Sequence, residues 1–191
     1  MTSRGTGTGT VVGSLRAVDG KAVVRMEDDF GTDAEDLWSA VTDPQRLARW
    51  VAQVDGDLRL GGAFRATFTS GWEDPGRVDV CEPPRRLVVT MSPGQDDQTV
   101  IEVELVPDGD QTRLILEERG LPLNEAVAHG AGWQAHVEDL AAPPGRPPGR
   151  GLADPMGRAD PGLSRPAGPS RLTRDNGAAT RKEQRHRAGW R

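Results

Sequence analysis

Three histidines, one cysteine and two acidic stretches are the groups in this 191-residue sequence whose types could do chemistry. His129 and His136 stand seven apart on a predicted helix, so they share about one face, either side of Trp133. A zinc pair on a helix wants ligands three or four apart, or more donors. No metal and no cofactor is expected. The two histidines read as helix-edge groups partly in solvent, pointing toward the mouth of any cavity below. His186 falls in a tail segment and is set aside. The single Cys81 excludes an intrachain disulfide and a multi-cysteine metal centre. Set among Val78, Val80 and Glu82, it reads as a small packing residue on a strand. Val23, Arg25 and Glu27 share one strand face, and Val24, Met26 and Phe30 the other. The second set is the more apolar, so Arg25 and Glu27 are expected to face water. Glu117-Glu118-Arg119 reads as a strand-end charge cluster. There is no Gly-x-Ser-x-Gly, no P-loop and no dinucleotide fingerprint. No catalytic residue is assigned.

The elements that must position these groups follow from periodicity. Asp19-Gly20 between Leu15–Val18 and Lys21–Val24 predicts a hairpin. The Thr32-x-x-Glu35 spacing predicts a capping box and a short helix with Leu37 and Val41 on one face. Asp43-Pro44 restarts the helix, with Asp43 as cap and Pro44 in the first turn. Five alternating runs then predict strands. One face carries Phe64, Ala66 and Phe68, then Val78 and Val80. It continues through Leu87, Val89 and Met91, then Ile101, Val103 and Leu105, and ends on Leu114 and Leu116. Gly, Pro and Asp turns separate them. Ala126, Gly130, Trp133, Val137 and Leu140 make the apolar stripe of a last helix over about Leu123–Ala141. An antiparallel sheet with one apolar face needs a cover, and only this helix is long enough. A curved sheet wrapped round one helix leaves a space for a small ligand.

Charge is unevenly distributed. The chain carries 24 Lys and Arg against 29 Asp and Glu, a net of -5. From Pro143 onward there are 11 basic and 4 acidic residues, a net of +7, which leaves -12 on the rest. An acidic body repels nucleic acid and anionic membrane surfaces, so neither is an expected partner. No apolar run reaches the roughly 18 residues of a membrane span, and the Gly/Thr-rich start is no secretory signal. A cytoplasmic protein is expected. Residues 143–191 hold 8 Pro, 8 Gly and 10 Arg with five Leu, Met or Trp, and are expected to be a disordered basic tail. A genuine extension and a switch of reading frame in a GC-rich gene both fit this change of composition. Residues 1–9 are expected to be disordered too, leaving residues 10–142 as the domain.

Four motifs in order carry a resemblance. They are Trp38-Ser39-Ala40-Val41-Thr42-Asp43-Pro44-Gln45-Arg46-Leu47-Ala48-Arg49-Trp50, Gly61-Gly62-Ala63-Phe64, Glu82-Pro83-Pro84-Arg85-Arg86-Leu87 and Gly132-Trp133. Together they resemble the proteins similar to the activator of heat-shock-protein-90 ATPase, within the START/polyketide-cyclase (SRPBCC) superfamily. The resemblance implies an α+β helix-grip fold: a curved antiparallel sheet wrapped round a C-terminal helix, with two short helices after the first strands. Physically, Trp38 and Trp50 would pack the short helices onto the sheet. Gly61-Gly62 would permit a bend or close approach, and Pro83-Pro84 would set a turn. In relatives the last helix usually runs further than it does here. Three functions are then in view. One is a non-enzymatic protein holding an apolar small molecule, with Phe64, Phe68, Met91, Leu116, His129 and Trp133 as candidate cavity residues. Another, implied by the family name, is an adaptor with a chaperone as partner. The third is a cyclase or aromatase, for which only His129, His136, Thr67 and Cys81 offer polar groups.

Overall fold

The computed structural model describes residues 11–143. The expectations for residues 1–10 and for the tail from residue 144 onward lie outside them. The chain opens with β1 (Val12–Val18) and β2 (Lys21–Phe30), then α1 (Ala34–Thr42) and α2 (Pro44–Leu47). Six strands follow: β3 (Ala52–Gly56), β4 (Ala63–Phe68), β5 (Glu73–Glu82), β6 (Arg86–Met91), β7 (Thr99–Asp108) and β8 (Gln111–Leu121). The last element of the described residues is α3 (Ala126–Ala141). One eight-stranded sheet has the order β1-β2-β8-β7-β6-β5-β4-β3. Every neighbouring pair is antiparallel.

The local chemistry explains the joints. At the first hairpin Asp19 has φ 49° and Gly20 φ 76°, the left-handed pair that a two-residue turn requires. At α1 the expected capping box is displaced by one residue. Asp33 is the N-cap and accepts from the Asp36 amide at 2.8 Å, while Thr32 donates to the Asp36 side chain at 3.0 Å. A carboxylate at the cap meets the helix dipole better than a hydroxyl, so Asp33 displaces Thr32. Asp43 caps α2 through two amides, with Pro44 in the first turn.

α1 and α2 carry the chain from β2 to β3, the opposite edge of the sheet. Trp50 is buried, and its indole donates to Ala40 O at 3.0 Å, fixing the end of α2 to α1. The meander then returns to β8 beside β2, and α3 packs on β2 and β1. Its buried side is Ala126, His129, Gly130, Trp133 and Val137. The core gathers Val24, Leu37, Leu114, Leu116 and Val137 between sheet and helices. The convex face carries a charge ladder: Arg86–Glu102–Arg119–Glu117–Arg16, each link between 2.6 and 3.1 Å. Arg25 joins it through Glu117 at 3.6 Å and also pairs with Glu27 at 2.8 Å.

Three further sequence expectations are corrected. Six strands, not five, follow the helices, because β3 (Ala-Gln-Val-Asp-Gly) has one β-branched residue and too little alternation to register. α3 starts at Ala126 rather than Leu123, since Glu125 N bonds back to Pro122 O in a turn. Val78 and Val80 do not share a face. The pairing passes from Val78↔Val89 to Val80↔Val88, so Asp79 is an extra residue in a bulge.

Candidate functional site

The concave face does not close fully on the helices. A cavity of about 330 Å3 remains, within the roughly 300–1,000 Å3 of small-molecule sites. One wall is helical, with Trp38 and Leu47 facing inward beside Trp50. The other is the sheet, where the inward parity of each strand delivers an apolar residue. Phe64, Phe68, Met91, Leu116 and Trp133 all border this cavity. The β5 bulge places Cys81 on the wall together with Val78. Gly76 lies directly under the Phe64 ring. A Cβ there would come within 2.3 Å of Cζ, so glycine is what lets the ring lie flat against β5.

Apart from the indole nitrogens, the only polar side chains on this wall among the described residues are Thr42 and Cys81. Thr42 donates its hydroxyl to Trp38 O at 2.7 Å. The Trp50 and Trp133 indoles have their N–H groups engaged elsewhere. What the wall offers a guest is therefore dispersion and burial, with few hydrogen bonds.

Behind this wall lies a polar clasp. Glu118 is 3% exposed and points inward from β8. Its Oε2 accepts from Trp133 Nε1 at 2.7 Å and from His129 Nδ1 at 2.9 Å. Its Oε1 accepts the Thr99 hydroxyl at 3.0 Å. Trp133 and His129 are one helical turn apart, so a single carboxylate grips two successive turns of α3. Burial pushes the His129 pKa down, but the bond and charge of Glu118, with Glu125 nearby, outweigh it and leave it raised above 6.5. His136 behaves oppositely. Burial dominates and lowers its pKa, although its Nδ1 donates to Trp50 O at 2.8 Å.

This corrects the sequence reading at two places. Glu117-Glu118-Arg119 is not one charge cluster: Glu117 and Arg119 face outward, and Glu118 faces the core. The period already contained that answer, since Leu114, Leu116 and Glu118 have one parity, as do Thr99, Ile101 and Val103. His129 is not a partly solvated helix-edge residue but is buried. It borders a second, smaller cavity of about 140 Å3 rather than the large one.

The curved eight-stranded antiparallel sheet gripping a C-terminal helix, with a cavity between them, defines a START-like, helix-grip protein of the SRPBCC type. Residues 31–143 match the family described as activator of Hsp90 ATPase homolog 1-like protein, and the chain belongs to that family. Among solved structures, CalU16 from Micromonospora echinospora is 27% identical, with 72% of this chain and 88% of that one covered and a TM-score of 0.59. DynU16, a protein of the dynemicin biosynthetic locus, is 29% identical over 62% of this chain, with a TM-score of 0.57. The match spans 45% of DynU16's own length. MLL2253 from Mesorhizobium loti shares the fold at 24% identity and a TM-score of 0.57, with 62% of this chain and 93% of that one covered. No curated protein matches the chain. Among the described residues, no helix is long and apolar enough to cross a membrane.

Proposed function

We propose that this protein holds an apolar small molecule in the larger cavity and does not transform it. The observation that carries the reading is the wall itself: a 330 Å3 space lined by aromatic and aliphatic side chains, with Thr42 and Cys81 as its polar groups. Phe64, Phe68, Met91, Leu116 and Trp133 are the proposed contact residues. The groups that could move protons, Glu118 and His129, engage each other in the neighbouring chamber. A bound molecule gains by leaving water at roughly 25 cal/mol per Å2 of apolar surface. Its shape is selected by the three tryptophans, Trp38, Trp50 and Trp133, which change little in conformation on packing.

Cys81 supplies the test. It is the chain's single cysteine and lies on the cavity wall, so its alkylation reports occupancy. Decanol, as a neutral apolar guest, should slow the reaction of Cys81 with iodoacetamide in a saturable way. Val89→Phe, which fills the cavity, should remove the protection. Equal alkylation rates with and without guest would refute the binding reading. Native mass spectrometry of protein from its own host adds the natural occupant. A co-purifying chaperone together with an unoccupied cavity would replace this reading by the adaptor role that the family's description suggests.

A further inference from the structure

β1 is an open edge of the sheet: β2 covers one side of it, and among the described residues no strand pairs with the other. All of its residues are exposed. The devices that usually blunt such an edge are missing, since Val12–Val18 holds no proline and its register with β2 runs without a bulge. The other edge, β3, is shorter, carries Asp55 and ends on Gly56 at φ 129°. The turn decides which backbone groups of β1 face outward. Val18 and Lys21 close a two-residue hairpin and so form a hydrogen-bonded pair, and the ladder alternates from there. Val12, Ser14 and Arg16 therefore bond to β2 as Val18 does, while Gly13, Leu15 and Ala17 aim their N–H and C=O groups away from it.

We infer that this edge docks a second copy of the chain, β1 against β1 and antiparallel about a two-fold axis at Leu15, so that the two sheets become one. The inference is independent of the cavity reading. About that axis β1 is close to a palindrome: Leu15 meets Leu15 of the second copy, Gly13 meets Ala17, Ser14 meets Arg16 and Val12 meets Val18. The three outward-facing residues then fall opposite one another, and each such pair exchanges both of its hydrogen bonds. An axis one residue later would set Arg16 against itself, a like-charge pair. Arg16 is the only charged residue of the strand and is held by Glu117 at 2.8 Å, so the second copy meets no unpaired charge along it. The side chains are suited to the same contact. Val12, Leu15 and Val18 are large apolar groups left exposed, and so is Val127 on α3, one turn before Gly130. A Cβ on Gly130 would lie 3.2 Å from Leu15 Cδ2, so Leu15 leans on α3 and shares its side of the sheet.

The test is the mass of the full chain in solution by sedimentation equilibrium, from micromolar to millimolar concentration, the range expected for a small interface. The mass should reach that of two chains at the upper end. Leu15→Lys sets two ammonium groups face to face on the axis and should hold the chain at a single mass throughout. Ala17→Pro keeps the experiment decisive if that variant does not fold. It removes one outward N–H, leaves the ladder with β2 intact and should dissociate the pair as well. Amide hydrogen exchange reads the register: Gly13, Leu15 and Ala17 should be protected in the dimer and lose that protection on dilution, whereas Ser14 and Arg16 stay protected at every concentration. A single-chain mass at millimolar concentration would overturn the inference. So would a dimer that survives both substitutions, or one in which the amides of Gly13, Leu15 and Ala17 exchange freely. Protection of those three amides in a chain of single mass would give the edge to another segment of the same chain, such as residues 1–10, and overturn it too.

Discussion

Trp133 Nε1 donates to Glu118 Oε2 at 2.7 Å, so the same tryptophan that walls the apolar cavity is pinned by a buried carboxylate. The bond has two effects. It satisfies a charge that burial would otherwise make costly, and it fixes the indole in one orientation. Trp133→Phe keeps most of the apolar bulk and deletes the donor. It is expected to lower stability by about 1–3 kcal/mol, the cost of leaving a buried acceptor short of a partner. Urea unfolding measures it. A double-mutant cycle with Glu118→Gln should show coupling between the two sites, and additive losses would mean that the bond contributes nothing of its own.

The two histidines of α3 should titrate on opposite sides of 6.5, His129 above and His136 below. For His129 the folded pKa exceeds the unfolded one. Its stabilising contribution is therefore fully present below about 6.5 and is lost as pH rises through the folded value. For His136 the folded pKa is depressed, so the fold favours the neutral ring and loses stability as pH falls below 6.5. Proton NMR of the imidazole Cε1–H signals gives both midpoints. His129→Gln should flatten the loss of stability as pH rises above about 6.5, and an unchanged slope there would remove His129 from the account.

How much of this could be seen in the sequence follows from parity. Strand alternation placed Phe64, Phe68, Met91 and Leu116 on the inward face, and the structure puts all four on one cavity. The same alternation fails after Val78, because the bulge at Asp79 inserts a residue and exchanges Val80 for Cys81 on the wall. Bulges have no strong sequence signal when the extra residue is not glycine. Glu118 escapes the sequence reading for a different reason. A charged residue beside Glu117 and Arg119 looks solvated until its partners are known, and those partners stand on other elements, Thr99 on β7 and His129 and Trp133 on α3. Its inward parity was the available sign. His129 followed with it, since only the clasp distinguishes a buried histidine from one at the helix edge.

A chain ending at Pro143 should unfold within about 5 °C of the full-length protein, because a segment so poor in apolar residues can bury little surface and so moves the midpoint little. The clasp, the capped helices and the core described above lie within residues 11–143, and the segment beyond holds few apolar residues. Differential scanning calorimetry of both lengths checks it. A drop of tens of degrees would show that residues after Pro143 complete the fold.

The most local prediction concerns Gly76 and Phe64. Gly76 on β5 pairs with Phe64 on β4, and an added Cβ would overlap the ring at 2.3, 2.5 and 2.8 Å from three of its carbons. Backbone conformation is not the obstacle, since Gly76 is absent from the glycines with positive φ. The obstacle is the ring alone, so Gly76→Ala must turn Phe64 away from β5, and the open side is the cavity. Overpacking of this kind costs about 1–3 kcal/mol, and the displaced ring takes space from any guest. The variant should therefore lose both stability and decanol affinity. Phe64→Leu introduced beside it removes the overlap and should restore both. If Gly76→Ala loses stability but binds decanol unchanged, Phe64 moves outward instead and is no part of the binding wall.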